Sequence, residues 1–317
     1  MLTQLHALNP TSWGIPLSDA MLWETWRTTL AGFPDHPRDV DLRGRTVLLI
    51  GSANVYTALV PWIVVLRQAG ARVRVKPARG QVAALAAITE GLGADLCVWR
   101  GGEDPDAELQ AFDGVNGVIA FGGAEALEAL RARTPATAMF FGFGPRFAVA
   151  ACERIGEPEA RGLARDVALY DTRGCMSPAA VFATDAGIPL LVNAMAEAEA
   201  LWPRGPISGA EAAAIRARKL LTRAATGTVL EGSGWTVLVS NAPFSPVALP
   251  RVLVVHPVNA LPQVNPYVGQ LGTVAGDAAP TLQALRRCVI GEMQAPTHDG
   301  THEGVDVLGA LARPLST

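Results

Sequence analysis

The sequence predicts an α/β protein: a doubly wound, mostly parallel sheet followed by a second α/β unit. Three observations carry this expectation. From Arg45 onward, short apolar runs ending in glycine or turn residues alternate with helical stretches. The first of them, "TVLLIG", is a continuous apolar run ending in glycine, as a buried parallel strand is. The chain has 317 residues, more than one small core organises, so two domains are expected.

"TVLLIG" (46–51) reads as the first buried strand, and "NVYTALVPWIVVLRQAG" (54–70) as a helix stopped by Gly70. "ARVRVKP" is a second strand and "GQVAALAAITEGLG" its helix. "ADLCVWRG" is a third strand, and "DPDAELQAF" a short helix capped by aspartate. "GVNGVIAFGG", "AEALEALRART" and "ATAMFFGFG" continue as strand, helix and strand. A second unit is expected from about Phe147. Its helices are "EPEARGLARDVALYD", "PLLVNAMAEAEAL" and "GAEAAAIRARKLLTRAA"; its strands are "AAVFAT", "TVLVS" and "RVLVVHPV". The tail "GEMQAPTHDGTHEG" reads as a polar loop. The expected division is 1–146, 147–290 and a C-terminal segment, 291–317, that packs back near the active site.

Composition excludes several classes. Half of the residues are hydrophobic and 17% are charged, which suits a packed globular core and not a disordered chain. The net charge is -3 with no long basic run, so no nucleic-acid partner is expected. The N-terminus lacks a basic segment followed by an apolar one, so no signal peptide is expected. The longest apolar run, Val55 to Leu66, falls short of the roughly 20 residues that span a bilayer. A cytoplasmic location without a membrane span follows as the expectation. The four cysteines, Cys97, Cys152, Cys175 and Cys288, are scattered and form no CxxC pair, which argues against disulfides and structural zinc.

Cys175 lies in "DTRGCMSP" (171–178) beside Arg173. It is open to three readings: a small buried side chain, a disulfide partner or a nucleophile. A thiol at a helix N-terminus near an arginine would be partly thiolate. Cys97 is placed in a strand, Cys152 in an alanine-rich helical stretch and Cys288 in "LQALRRCVI", each read as a small buried hydrophobe.

A parallel sheet binds ligands at the carboxyl ends of its strands. Here those ends carry Gly51, Ser52 and Asn54, then Lys76 and Arg79, then Gly122, Gly123 and Ala124. Asn54 is either an amide donor to an oxyanion or a helix N-cap. Lys76 and Arg79 either hold a ribose or phosphate or form a solvated turn. Gly122 and Gly123 open a helix whose N–H groups would face a pyrophosphate. A GxGxxG fingerprint is absent. His298, Asp299, His302 and Glu303 are read as loop residues and not as a metal site, because Gly300 and Gly304 interrupt any helix there.

Together these segments resemble the aldehyde dehydrogenase superfamily, in particular its short branch of bioluminescence-type fatty acyl-CoA reductases. "ARDVALYDTRGCMSPAAVFA" is similar to that branch's cysteine segment: an aspartate, a short gap, then R/Q-G-C-x-S-P. The Asn54-to-Lys76 stretch, "VIAFGGAEALEAL", and the tail's M-Q-x-P and H-D-G follow in the same order from about residue 45 to 312. The resemblance implies an aldehyde-dehydrogenase-like nucleotide-binding domain and a catalytic domain. It implies Cys175 as nucleophile, Asn54 in the oxyanion hole, Lys76 on the adenosine ribose and Gly122, Gly123 and Ala124 at the pyrophosphate. Alanine at 124 departs from the serine usual there, and Gly142 stands where hydrolytic relatives carry a general-base glutamate. Part of the N-terminal region and an oligomerisation hairpin are expected to be missing.

The implied activity is NAD(P)H-dependent reduction of acyl-CoA, or another acyl thioester, to aldehyde. The alternatives are an aldehyde dehydrogenase running in the oxidative direction and a non-catalytic nucleotide-binding homologue. NAD-preferring relatives place a glutamate where Arg79 stands here. A guanidinium there binds a 2′-phosphate but accepts no hydroxyl, so NADPH is the expected cofactor, with Arg72 and Arg74 as further candidate cations. A homodimer is the expected assembly.

Overall fold

A computed structural model describes residues 1–35, 37–100, 103–185 and 187–313. The chain divides into two compact units. One takes Met1–Ile15, Trp26–Pro145 and Thr297–Thr317; the other takes Pro16–Thr25 and Arg146–Pro296. Two helices precede the first sheet: α1 (Leu2–His6) and α2 (Asp19–Ala31), the latter divided between the units at Thr25.

The first unit is built on β1 (Thr46–Ile50), α3 (Val60–Gln68), β2 (Arg72–Lys76), α4 (Val82–Leu92), β3 (Asp95–Leu96), α5 (Pro105–Phe112), β4 (Gly117–Phe121), α6 (Ala124–Arg133) and β5 (Met139–Phe143). Its strands lie in the order β3-β2-β1-β4-β5, all parallel. This is the doubly wound sheet that the alternation predicts. Val47, Leu48, Leu49 and Ile50 of β1 are all buried, because helices cover both faces of the central strand.

Local signals act where the sequence places them. After α3, Gly70 adopts φ 90°; its N–H bonds the carbonyl of Arg67, and the Ala71 N–H bonds that of Leu66. That pair of bonds needs a left-handed residue, which glycine supplies without a Cβ penalty. Asp104 caps α5, its carboxylate accepting from the Ala107 N–H at 3.3 Å.

The second unit contains β6 (Phe147–Arg154), α7 (Glu157–Ala168), β7 (Pro178–Asp185), α8 (Ile188–Leu201), α9 (Gly209–Ala224), β8 (Thr228–Glu231), β9 (Thr236–Val239), β10 (Val252–Pro257), β11 (Leu271–Ala275) and β12 (Arg286–Cys288). The strand order is β12-β11-β6-β7-β10-β9-β8, parallel except for the β8–β9 hairpin. One face packs on α7 and α8 through Leu163, Val167, Leu191 and Met195. The other packs Phe182, Phe244 and Val264 with Ile215 of α9.

Cys152 lies in β6, a strand buried between β11 and β7, and not in a helix as its alanine-rich context suggested. The tail, read as a loop, contains a small hairpin, β13 (Thr301–His302) with β14 (Val305–Asp306), and α10 (Val307–Ala312), all grouped with the first unit. Among the described residues, no helix is long and apolar enough to cross a membrane.

Candidate active site

The cysteine segment starts in α7. Proline in its first turn and the Glu159 carboxylate, which accepts from the Gly156 N–H at 3.0 Å, set its start. After Ala168 the chain makes a single irregular turn in which Tyr170, Asp171 and Thr172 have φ of 59°, 51° and 60°. Three consecutive left-handed residues other than glycine cost on the order of 1 kcal/mol or more each, so the surroundings must hold them.

Those surroundings are polar and buried. The Asp171 carboxylate accepts from Arg251 Nε at 2.7 Å and from the Gly205 N–H at 3.0 Å. Arg251 is 1% exposed and also pairs with Glu199 at 2.9 Å. Thr172 Oγ1 donates to the Val167 carbonyl at 2.9 Å and accepts from the Arg251 N–H at 3.2 Å.

The chain then reaches Arg173, Gly174 and Cys175. Arg173 pairs with Asp171 and Glu211 and donates to the Pro206 carbonyl. Its charge is therefore matched by two carboxylates. Cys175 sits in a turn and is exposed. Pro178 opens β7, not a helix, so the thiol is not at a helix N-terminus and that route to thiolate is absent. The turn is closed by the Ser177 N–H to the Gly174 carbonyl at 3.1 Å, and the chain passes directly into the middle of the sheet.

The other limb of the turn meets the segment after β12. Gln294 Nε2 donates to Ser177 Oγ at 2.8 Å and to the Asp166 carbonyl at 3.3 Å. The Asp166 carboxylate accepts from the N–H groups of Gly291 at 2.6 Å and Met293 at 3.1 Å. Burial pushes the Asp166 pKa up to about 7, against the lowering effect of those two bonds and of Arg165 and Arg286.

The remaining cysteines differ from Cys175. Burial pushes Cys152 up to about 12 and Cys288 up to about 11. Cys97 lies just past the two-residue β3, half-buried, and burial raises its pKa too.

In the first unit, the carboxyl edge of the sheet gathers the predicted cofactor residues. The strand order reverses between β1 and β4, and ligands of doubly wound sheets sit at such a point. Gly51 and Ser52 follow β1, and Gly122 and Gly123 follow β4. The Gly51 N–H donates to the Lys76 carbonyl at 3.0 Å. Gly123 caps α6 without a side-chain bond, and among the described residues nothing lies within 4 Å of where its Cβ would stand. Glycine as N-cap offers the first N–H groups of α6 no side-chain acceptor of its own, and a helix start of that kind leaves them to another acceptor such as a phosphate.

Lys76 is half-buried, with Nζ 5.5 Å from the centre of the Trp99 ring, and burial lowers its pKa. Arg79 is exposed in a 3-10 turn. Arg72 pairs with Asp95, and Arg74 donates to the carbonyls of Gln110, Ala111 and Asp113, so both are engaged within the sheet and with α5.

Asn54 is exposed in the loop after β1. The helix that follows starts at Val60 with Leu59 as N-cap, so the capping reading of Asn54 does not hold. His298 Nε2 donates to the Thr29 carbonyl at 3.1 Å. His302 packs its ring against Phe143, Phe121 and Trp62, and His256 stacks on Phe182.

Reading residues one segment at a time missed Asp171, Arg251 and Glu199 as a network and gave no role to Asp166 or Gln294. Two signals were present: an arginine in an otherwise apolar strand entry, "LPRVLVV", and an aspartate on the apolar face of α7.

Comparisons with known proteins fit this architecture. A benzaldehyde dehydrogenase from Corynebacterium glutamicum, NAD-dependent by its description, superposes with a TM-score of 0.66 at 12% identity, over 93% of this chain and 80% of that one. The fold is that of the aldehyde dehydrogenases. A long-chain acyl-protein thioester reductase from Aliivibrio fischeri is 26% identical over 197 residues, covering 59% of this chain and 41% of the relative. Another, from Photobacterium leiognathi, is 25% identical over 239 residues, covering 69% and 50%. The chain thus spans half or less of the length of these relatives. A sequence model described as acyl-CoA reductase (LuxC) matches residues 92–314, a span holding the Cys175 turn, the Asp171–Arg251 network and the Gln294 segment, and on that match the chain belongs to the LuxC acyl-CoA reductase family.

Proposed function

We propose that the chain reduces an acyl thioester to an aldehyde through an acyl-enzyme on Cys175, with NADPH as reductant. The observation that carries this reading is the Cys175 turn: an exposed thiol between two limbs that are buried and hydrogen-bonded. The relatives' description as long-chain acyl-protein thioester reductases supports a long acyl chain, borne by CoA or by a protein.

In this reading the Cys175 thiolate attacks the thioester carbonyl and the carbon–sulfur bond to the departing thiol breaks. That thiolate leaves with a proton from solvent. The Asn54 amide and the Cys175 N–H are assigned as donors to the oxyanion, Asn54 on its place in the loop after β1. A bound nicotinamide dinucleotide supplies the hydride that reduces the acyl group. Gly51, Ser52, Lys76 and Arg79 are assigned to it, with Gly122, Gly123 and Ala124 at its pyrophosphate. Cys175 then leaves as thiolate and aldehyde is released. Neither transfer at sulfur requires an activated water, so glycine at 142 is compatible with the chemistry.

Intact-protein mass spectrometry with a panel of acyl-CoAs tests the reading. Acyl adducts are expected on the native chain and on Cys97→Ala, Cys152→Ala and Cys288→Ala, but not on Cys175→Ala. An adduct on Cys175→Ala refutes it. Steady release of free acid from aldehydes would favour the oxidative alternative, and dinucleotide binding without acylation the non-catalytic one.

A further inference from the structure

The two limbs of the Cys175 turn are held by different means. The Asp171 limb rests on a buried ion pair. The Ser177 limb rests on Gln294, whose side chain is 3% exposed and whose amide nitrogen donates to Ser177 Oγ and to the Asp166 carbonyl.

Gln294 is itself fixed by its neighbours. Asp166 takes the N–H groups of Gly291 and Met293. Arg286 donates to the carbonyls of Met293, Glu292 and Ala295. Arg165 donates to the Gly291 carbonyl at 2.8 Å. Gly162 of α7 lets the chain at Ile290 approach so closely that a Cβ there would lie 2.9 Å from the Ile290 oxygen. The segment 286–296 is thereby clamped to α7, and it reaches the Cys175 turn through Gln294 at Ser177 and through Arg286, whose Nη1 lies 3.8 Å from Met176 Sδ.

Gln294 Oε1 is buried and has no partner among the described residues. A buried carbonyl oxygen without a donor is destabilising, and a methionine of similar length would fill the space without that penalty. The amide's distinctive contribution is directional: its N–H bonds to Ser177 and the Asp166 backbone.

We propose that Gln294 and Asp166 are positioning residues for Cys175, Gln294 by holding the Ser177 limb of the turn and Asp166 by holding Gln294 in register. The proposal rests on the reading of Cys175 as the acyl-accepting thiol.

Two measurements separate the proposal from that reading. Hydrogen exchange of the full chain, followed over a peptide containing residues 173–178, reports on the turn whatever the chemistry. Gln294→Met is expected to raise exchange there at least tenfold while the α8 and β10 peptides stay protected. Acylation at saturating acyl-CoA is expected to slow at least tenfold, with little change in the half-saturating concentration. Ser177→Ala removes the acceptor at almost no change in volume and serves where Gln294→Met fails to fold. The double variant is expected to be no slower than the slower single one, as coupled residues behave. Asp166→Asn is expected to loosen both the 173–178 and the 290–295 peptides. Unchanged exchange at 173–178 in Gln294→Met and Ser177→Ala overturns the proposal, as do strictly additive rates. If Cys175→Ala is still acylated, the reading of the nucleophile falls, and the exchange data still decide whether Gln294 holds the turn.

Discussion

Arg251 Nε lies 2.7 Å from Asp171 Oδ1, and the two side chains are 1% and 0% exposed. The pair spans 80 residues of sequence and fixes a turn with three left-handed residues directly ahead of Cys175. A buried ion pair is not in itself a stabilising device, but breaking it leaves an uncompensated charge.

Arg251→Met should therefore destabilise the second unit by about 3–5 kcal/mol, the range for a buried pair that loses one partner. Urea denaturation checks this. Asp171→Asn combined with Arg251→Met should recover part of the loss, since the fully buried Asp171 charge is then not stranded and only the less buried Glu199 loses its partner. A native midpoint for Arg251→Met would contradict the role given to the pair.

Thiol labelling should sort the cysteines. The thiolate is the reactive form, and burial pushes Cys152 to about 12 and Cys288 to about 11. At pH 8, limiting iodoacetamide should alkylate Cys175 first and leave Cys152 and Cys288 unmodified in the folded chain. Peptide mapping reads the order, and early labelling of Cys152 would contradict the burial of β6.

Asn54→Ala should lower kcat by on the order of a hundredfold or more, as loss of an oxyanion donor does. Because Leu59 and not Asn54 caps α3, the melting temperature should barely move. Steady-state kinetics and a thermal melt together decide: full activity would remove Asn54 from the chemistry.

Stability should depend on the Asp166 proton. The carboxyl titrates at about 7 when folded, against an ordinary value of 3.8, so the unfolded chain releases its proton first. The stabilisation is fully present below pH 3.8, declines as pH rises, and is gone above about 7. The shift corresponds to roughly 4 kcal/mol at about 1.36 kcal/mol per unit. Asp166→Asn should abolish this part of the slope in unfolding free energy between pH 4 and 7. A variant with the same slope as the native chain would show that another group carries it.

Arg79 should favour NADPH. It is exposed at the carboxyl edge of the first sheet, and a guanidinium offers a phosphate two parallel donors. Arg79→Glu should weaken NADPH binding far more than NADH binding. The comparison is Kd for both cofactors in both proteins, and a native chain that binds NADH more tightly would defeat the assignment.

The sequence by itself determined what depends on neighbouring residues. Continuous apolar runs set β1 and β4, the Arg-Val alternation set β2, Gly70 stopped α3, Asp104 started α5, and the strand–turn–helix rhythm placed Gly51, Gly122 and Lys76 at one edge of one sheet. Its motifs marked Cys175 and the Met293–Gln294 segment separately. Tertiary structure decided the rest. "FAVAACER" is a strand because β11 and β7 bury it, whereas its alanines alone favour a helix. Cys175 leads into a strand because Pro178 has a place beside Ala148 in the sheet. Arg251, the ion-pair partner of Asp171, lies 80 residues away, and Gln294, which bonds the Asp166 carbonyl, lies 128 residues away. Local periodicity is written in contiguous residues, but the partner of a buried charge or amide is set only when the chain closes on itself and excludes water.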